Sequence, residues 1–400
     1  MQNWIASFDE ITEGKTTDVY FLNAKKCLQA DNLDKTEVYA EVTTDKLPKN
    51  WSHFLFLGLA EVIAMFQEAK LNVNVYSVDE GRILPPRDVN GIRIPVLSIE
   101  GPYGDFAVYE TPMLGYLCFQ TGVGTSALHV RLAAKEKIIL SFGIRRMHPA
   151  LAPVIDRACY IAGFDGVSCV LSAEKLGIKP TGTIPHAFII IERGIENAMR
   201  SFDKNIEPEV KRIALSDTFS DERFEVMKAL DAIGENLYGV RLDTPSSRRG
   251  NLREIIKEIK WELKQRGRED IKIFLSGGFD EKMVEEYCDI ADGFGVGTSV
   301  ANSPTVNFAL DIVEMNGQSI SKRGKYSGRK QVGYCQTCDI YLCSLEDQKR
   351  AIICPKCGSE MEKVVKQYMK DGKLIRDLGD VGSIRKYVRE QMEKLELPKK

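Results

Sequence analysis

The stretch 272-KIFLSGGFD-280 decides the fold of the central part of the chain. A short apolar run stops on two adjacent glycines and a carboxylate, and the helical pattern DEKMVEEYC begins at once. Strand, tight loop, helix is the repeating unit of a parallel α/β sheet, because parallel neighbours need a crossover connection. The stretch 291-ADGFGVGTSV-300 repeats the unit immediately downstream. Upstream, KIILSF (137–142), GVSCVL (166–171), RIALSD (212–217) and YGVRLD (238–243) read as further strands, each an apolar run closed by polar or turn residues.

Helices fall between them. PALAPVIDRACYIA opens on a first-turn proline, SDERFEVMKALDAIG runs from a Ser–Asp cap to Gly234, and NLREIIKEIKWELKQRG runs from Asn251 to Gly267. Such units between about 137 and 300 predict a TIM-like barrel or part-barrel, with a doubly wound sheet as the alternative. The remainder reads differently. EVYAEVTT, LNVNVYSV and IPVLSIEGP predict strands, LGLAEVIAMFQEAK a helix and PPRDVNG a turn. The expected organisation is α/β: an N-terminal α+β sandwich domain over 1–115, an incomplete TIM-like barrel over 116–320, and a small zinc ribbon with a C-terminal helix over 321–400. A helix over 110–135, broken at TGVGT, bridges the first two.

The chain has 400 residues, 55 Lys plus Arg against 57 Asp plus Glu, and a net charge of -2, which gives no bulk reason for a polyanionic partner. The start lacks a signal-peptide pattern and no apolar run is long enough to span a bilayer, so the expectation is a soluble cytoplasmic protein without a membrane partner. Half of the ten cysteines lie between 335 and 357. Cys335 and Cys338 form one C-x-x-C pair and Cys354 and Cys357 another, fifteen residues apart, which is the spacing of a four-thiolate zinc ribbon. Cys343, between the pairs, reads as packing. Lys322, Arg323, Lys325, Arg329 and Lys330 form a basic connector ahead of the ribbon. A solvated linker and a structural zinc clip are preferred over nucleic-acid binding, since no array of aromatics for base stacking accompanies the charge.

The polar residues that stand out sit where strands end, the edge at which parallel α/β folds bind ligands. Ser276, Gly277 and Gly278 would let backbone amides approach an anion, with the following helix pointing its positive end at the same spot, and Gly295, Gly297 and Thr298 would supply the other half of a phosphate cradle. Arg145 and Arg146 follow KIILSFGI and suit phosphate or carboxylate oxygens. Thr183 and His186 share the turn GTIPHAF, Asp243 closes YGVRLD, and His148 either lines the pocket or caps the next helix.

Taken in order, TDVYF (17–21), SFGIRR (141–146), TGTIPHAF (181–188), GVRLD (239–243), LSGGFD (275–280) and GVGTS (295–299) resemble the nicotinate phosphoribosyltransferase family, from near the N-terminus to about residue 310. The ribbon resembles the tail of archaeal members. The resemblance implies a type II phosphoribosyltransferase that joins nicotinate to 5-phosphoribosyl 1-pyrophosphate, with Mg²⁺ and with ATP as co-substrate, in NAD biosynthesis. It implies that Phe142 and Tyr20 sandwich the pyridine ring, with Tyr20, next to Asp18 in TDVYF, coming from the second subunit of a homodimer or larger homo-oligomer. Arg145, Arg146 and Arg241 would serve carboxylate and phosphates, Asp243 the ribose or Mg²⁺, Thr183 the nicotinate, and the two glycine loops the 5-phosphate. His186 matches the histidine that family members phosphorylate from ATP. TPSSRRGN after VRLD departs from the Ser-Gly-Asp turn of many relatives. Readings kept beside this one are the decarboxylating quinolinate phosphoribosyltransferase, a nicotinamide-using relative, and a nucleic-acid-binding zinc-ribbon protein.

Overall fold

The computed structural model describes residues 4–245, 247–248, 250–346 and 351–395. Two compact units divide the chain, one of residues up to Thr125 together with those from Pro304 onward, the other Ser126–Ser303.

The first unit is built on a seven-stranded antiparallel sheet, ordered Gln318–Ser319, Phe308–Met315, Glu37–Thr44, Leu97–Pro102, Asn74–Ser77, Lys366–Lys370, Lys373–Leu374. Glu37–Thr44 is buried along all but its first residue. Its neighbour Phe308–Met315 comes from the far side of the second unit in sequence, pairing Thr44 with Phe308 and Val38 with Met315. That pairing is why residues 304–315 belong here, whereas the sequence reading carried the barrel to 320. The amphipathic helix Leu59–Glu68 adds Leu59, Val62, Ile63, Met65 and Phe66 to a core shared with Val42, Val75, Ile99 and Phe308. Each such side chain contributes roughly 1.5–3 kcal/mol on burial. The ribbon is a three-stranded sheet of Ile340–Leu345, Lys330–Cys335 and Glu362–Lys363.

The helix expected to break at TGVGT runs without interruption from Glu110 to Ala134. Tertiary contacts override the helix penalty of two glycines there. Thr121 and Thr125 hydroxyls bond to the buried backbone amides of Leu57 and Leu55, 3.1 Å in each case. A Cβ on Gly122 would lie 2.6 Å from the Pro304 carbonyl oxygen, so the glycine is what permits the close approach. Gly122→Val is therefore expected to destabilise the protein by about 1–3 kcal/mol through overpacking, read as a lower urea midpoint at unchanged slope.

The second unit contains a six-stranded, wholly parallel sheet ordered Gly166–Val167, Ile138–Ser141, Gly293–Val296, Lys272–Leu275, Leu237–Leu242, Arg212–Leu215. The two outer strands do not pair with each other, so the curve stays open, as an incomplete TIM-like barrel. Lys272–Leu275 and Gly293–Val296 are nearly or wholly buried, the pattern of strands covered on both faces. The helices Ala152–Ile161, Glu222–Ile233 and Leu252–Gln265 stand where their patterns predict, with Asp221 and Asn251 side chains accepting from first-turn amides and Gly234 at φ 55° ending the second. GVSCVL is shorter as a strand than expected: only Gly166–Val167 pairs, and Val170 already opens the helix Val170–Leu176. Because all six strands run one way, their C-terminal ends share one edge.

Candidate active site

At that edge the strand Ile138–Ser141 hands over to Phe142, whose amide donates to the Val296 carbonyl at 2.8 Å. A Cβ on Gly295 would fall 2.4 Å from the Phe142 ring. Gly295 is thus the seat of an aromatic side chain, a place where any larger residue would collide with the ring. Behind the ring, Ser141 Oγ donates to the fully buried Asp156 at 2.7 Å, and burial pushes the Asp156 carboxyl upward.

Arg241 is the hub. Its side chain is 16% exposed, and its guanidinium lies 5.9 Å from the Phe142 ring centroid. It donates from Nη1 to Thr183 Oγ1 at 2.8 Å and from Nη2 to Asp243 Oδ2 at 3.3 Å, while Nε is buried with no partner among the described residues. Burial pulls its pKa below the ordinary arginine value, Asp243 and Asp217 oppose this, and the nearby Arg145 adds to the lowering. Arg145 and Arg146, in the turn Ile144–Arg146, are exposed. His148 caps the turn that follows, its Nδ1 accepting from the Ala150 amide at 3.2 Å.

Asp243 is held on its other oxygen by Ser276 Oγ at 2.7 Å, so YGVRLD and LSGGFD meet at one carboxylate. Gly277 and Gly278 both adopt left-handed backbone, φ 90° and 88°, a pair of conformations that L side chains resist. A Cβ on Gly277 would lie 2.9 Å from the Asp243 carbonyl oxygen. Neither glycine amide donates to another group among the described residues. The helix after them does not share this role. Asp280 takes the amides of Lys282 and Met283 at 3.1 and 3.0 Å, so the positive end of Glu281–Tyr287 is satisfied internally by its own cap. Ser299 Oγ donates to the Phe279 carbonyl at 2.7 Å and ties the two glycine loops together, leaving the exposed Thr298 beside them.

His186 is the first residue of the helix His186–Ile191 and sets Nε2 2.9 Å from Asp217 Oδ1. Asp217 closes RIALSD and its side chain is 5% exposed, and burial raises its carboxyl pKa against the lowering by His186. Thr244 Oγ1 lies 3.4 Å from Asp217 Oδ2 and 2.6 Å from Glu222 Oε1. Asp217, Thr244, Glu222 and Ser299 are the site residues that the motif reading did not single out. The strand-end rule applied to RIALSD points to Asp217, whereas Glu222 is indistinguishable in sequence from an ordinary first-turn glutamate. Of TPSSRRGN, Ser246 and Arg249 lie outside the described residues.

Asp18 and Tyr20 belong to the first unit. Asp18 stands at the N-cap of the helix Val19–Ala30 and accepts from Thr111 Oγ1 at 2.9 Å and the Tyr20 hydroxyl at 3.4 Å, leaving the Tyr20 ring 60% exposed.

In the ribbon the sulfurs of Cys335, Cys338, Cys354 and Cys357 lie within 4.8 Å of one another, close to the sulfur spacing of about 3.8 Å that tetrahedral zinc–thiolate bonds require. Cys343 is buried and packs in the large core, as its position between the pairs predicts. The basic connector is neutralised within its own unit. Lys322 and Lys325 pair with Asp311, Arg329 with Glu100 and Glu314, and Lys330 with the buried Glu41 at 2.8 Å. Four of its five cations are thus engaged, which removes most of the charge that a polynucleotide would neutralise. Among the described residues no helix is long and apolar enough to cross a membrane.

The family descriptions "Quinolinate phosphoribosyl transferase, C-terminal domain" and "N-terminal domain" match residues 123–311 and 18–121, and "Nicotinate phosphoribosyltransferase C-terminal domain" matches 335–399. A nicotinate phosphoribosyltransferase of Mycobacterium tuberculosis is 27% identical over 359 residues, covering 79% of this chain and 74% of its own. The solved structure titled nicotinate-nucleotide pyrophosphorylase from Pyrococcus furiosus superposes with a TM-score of 0.93 at 48% identity, over 99% of this chain and 100% of that one. Human nicotinic acid phosphoribosyltransferase shares the fold, with a TM-score of 0.77 at 17% identity over 95% and 94% of the two chains.

Proposed function

Because the chain belongs to the nicotinate phosphoribosyltransferase family, we propose that it forms nicotinate mononucleotide and pyrophosphate from nicotinate and 5-phosphoribosyl 1-pyrophosphate, as a step of NAD biosynthesis in the cytoplasm. The observation that carries the reading is the convergence on Arg241. One buried cation is held by Thr183 and Asp243 beside an aromatic ring, next to a loop whose two glycine amides are unclaimed among the described residues.

The flat pyridine stacks on Phe142, and Tyr20 of a second subunit covers its other face, a pair of rigid surfaces that orders a heterocycle at low entropic cost. Arg241 faces the nicotinate carboxylate, which accepts from the guanidinium more strongly in this desolvated setting than in water. The Gly277–Gly278 amides and the Gly297–Thr298 turn hold the 5-phosphate, Arg145 and Arg146 serve the pyrophosphate, and Asp243 orients the ribose hydroxyls. Displacement at the anomeric carbon develops positive charge on the ribose. Holding both ends of the phosphoribosyl group therefore places nitrogen, carbon and leaving group in line, where orientation lowers the barrier most. Asp243 would help to hold a Mg²⁺ ion bound with the pyrophosphate, and that ion would supply neutralisation of the leaving group's charge. His186 takes a phosphoryl group from ATP, on Nδ1, since Nε2 is committed to Asp217. Zinc is the metal of the four-cysteine cluster, where a closed tetrathiolate leaves no open position and the role is structural.

A single buried arginine at the ring matches one carboxylate, which favours nicotinate over the dicarboxylate quinolinate. The test is product formation with nicotinate, quinolinate or nicotinamide, each with and without ATP. Mononucleotide is expected from nicotinate, with more of it when ATP is present, and turnover of quinolinate alone would refute the assignment. A variant checks the cradle separately. Gly277→Val is expected to cost about 1–3 kcal/mol in left-handed strain and to weaken phosphoribosyl pyrophosphate binding by ~10-fold or more, measured as its KM.

A further inference from the structure

We propose that Thr244 and Glu222 are positioning residues that hold His186 in the orientation that receives the phosphoryl group, an inference that rests on the ATP-coupled reading above. Asp217 offers two oxygens, one at 2.9 Å from His186 Nε2 and one at 3.4 Å from Thr244 Oγ1. The threonine hydroxyl carries one hydrogen, which it shares as a donor between Glu222 Oε1 at 2.6 Å, the nearer acceptor, and Asp217 Oδ2 at 3.4 Å, so that the two carboxylates are bridged through one hydroxyl. Glu222 is 7% exposed and starts the helix Glu222–Ile233, so the relay ends on a fixed element.

The other side of Asp217 is fastened as well. The 2%-exposed Glu225 accepts from the amides of Thr218 at 3.0 Å, Phe219 at 2.7 Å and Ser220 at 2.9 Å, which pins the loop leaving Asp217. With the carboxylate unable to rotate, the imidazole keeps its Nε2 proton directed at Oδ1 and presents the Nδ1 lone pair outward. In the transfer, Nδ1 bonds to the γ-phosphorus of ATP and the bond from that phosphorus to the bridging oxygen breaks. ADP leaves with the electron pair, and Asp217 balances the charge on the ring through the Nε2 proton. Burial raises the Asp217 carboxyl pKa, and Arg241 and Asp243 also act on it.

The experiment measures acid-labile phosphohistidine formed from γ-labelled ATP by the full-length protein. Thr244→Val is expected to slow labelling by about 10-fold with little change in the KM for ATP, while Thr244→Ser, which restores the hydroxyl, stays within about 2-fold of the parent. Glu222→Ala is expected to behave as Thr244→Val, and Glu222→Gln, which keeps an acceptor for the hydroxyl, as Thr244→Ser. The comparison uses variants whose melting temperatures match the parent, and the Glu222 pair decides if Thr244→Val does not fold. Labelling of Thr244→Val or Glu222→Ala at the parental rate overturns the relay alone. Absence of label in the parent protein overturns the ATP-coupled reading, and the relay with it.

Discussion

Replacing Arg241 by leucine is expected to lower kcat/KM for nicotinate by ~100-fold or more, with the fold retained. The guanidinium lies largely buried beside Phe142, and it is bound on one side to Thr183 and on the other to Asp243. Leucine approximates the buried stem but leaves Asp243 with only Ser276 as a partner, inside a site where unpaired charge is costly. Removing one member of a buried, hydrogen-bonded charge pair costs about 2–5 kcal/mol, and 3 kcal/mol corresponds to ~150-fold in rate. Lysine is not expected to rescue the loss, because a single ammonium on a flexible stem does not reproduce a fork that reaches both partners. Steady-state kinetics with a melting curve as the control separates lost chemistry from lost folding. A leucine variant within about 3-fold of the parent would remove Arg241 from the carboxylate role.

Replacing Cys354 and Cys357 by serine is expected to abolish metal binding and open the ribbon locally. Among the described residues the small core around the cluster is Cys335, Ile340, Ile352, Cys354 and Met361 with Cys338 and Leu342 packed against them, too few apolar side chains to hold a fold without a metal. In isolated zinc-finger peptides, metal binding contributes on the order of 10 kcal/mol to folding. Here the effect stops at the turns, because the paired strands have independent anchors. Val332, Tyr341 and Cys343 pack in the large core, the Cys343 amide donates to Asp88 Oδ2 at 2.7 Å, and Lys330 pairs with Glu41. Elemental analysis is expected to find one zinc per chain in the parent and none in the variant. Amide exchange is expected to lose protection over 351–363 and to keep it in the helix Leu59–Glu68. Parent protein without metal, but with the same protection in both regions, would contradict the structural role.

The parallel sheet was legible because each of its strands is an apolar run closed by a turn and followed by a helix, a pattern that survives without knowledge of the partners. The same strand-end logic reached Asp243 and Ser276, whereas Arg241 came only through the family resemblance. It stopped short at Asp217, although RIALSD ends on that carboxylate, because an aspartate after a strand is also a common turn residue. Thr244 and Glu222 carry no signature at all, since their role exists only through a contact between residues 22 apart in sequence. Two other readings failed for tertiary reasons. The glycines of TGVGT suggested a break, but in the fold they admit a neighbouring backbone into an unbroken helix. The strand Phe308–Met315 completes a sheet begun at Glu37, and that long-range pairing leaves no local pattern. The basic connector looked solvated because its acidic partners, Glu41, Glu100, Asp311 and Glu314, are scattered along the chain.

The most direct measurement of the central claim is a crystal structure of the protein with nicotinate mononucleotide bound. The phosphate is expected on the amides of Gly277 and Gly278, the pyridine against Phe142, and the carboxylate facing Arg241. Mononucleotide bound elsewhere, with the glycine loops contacting no phosphate, would contradict it.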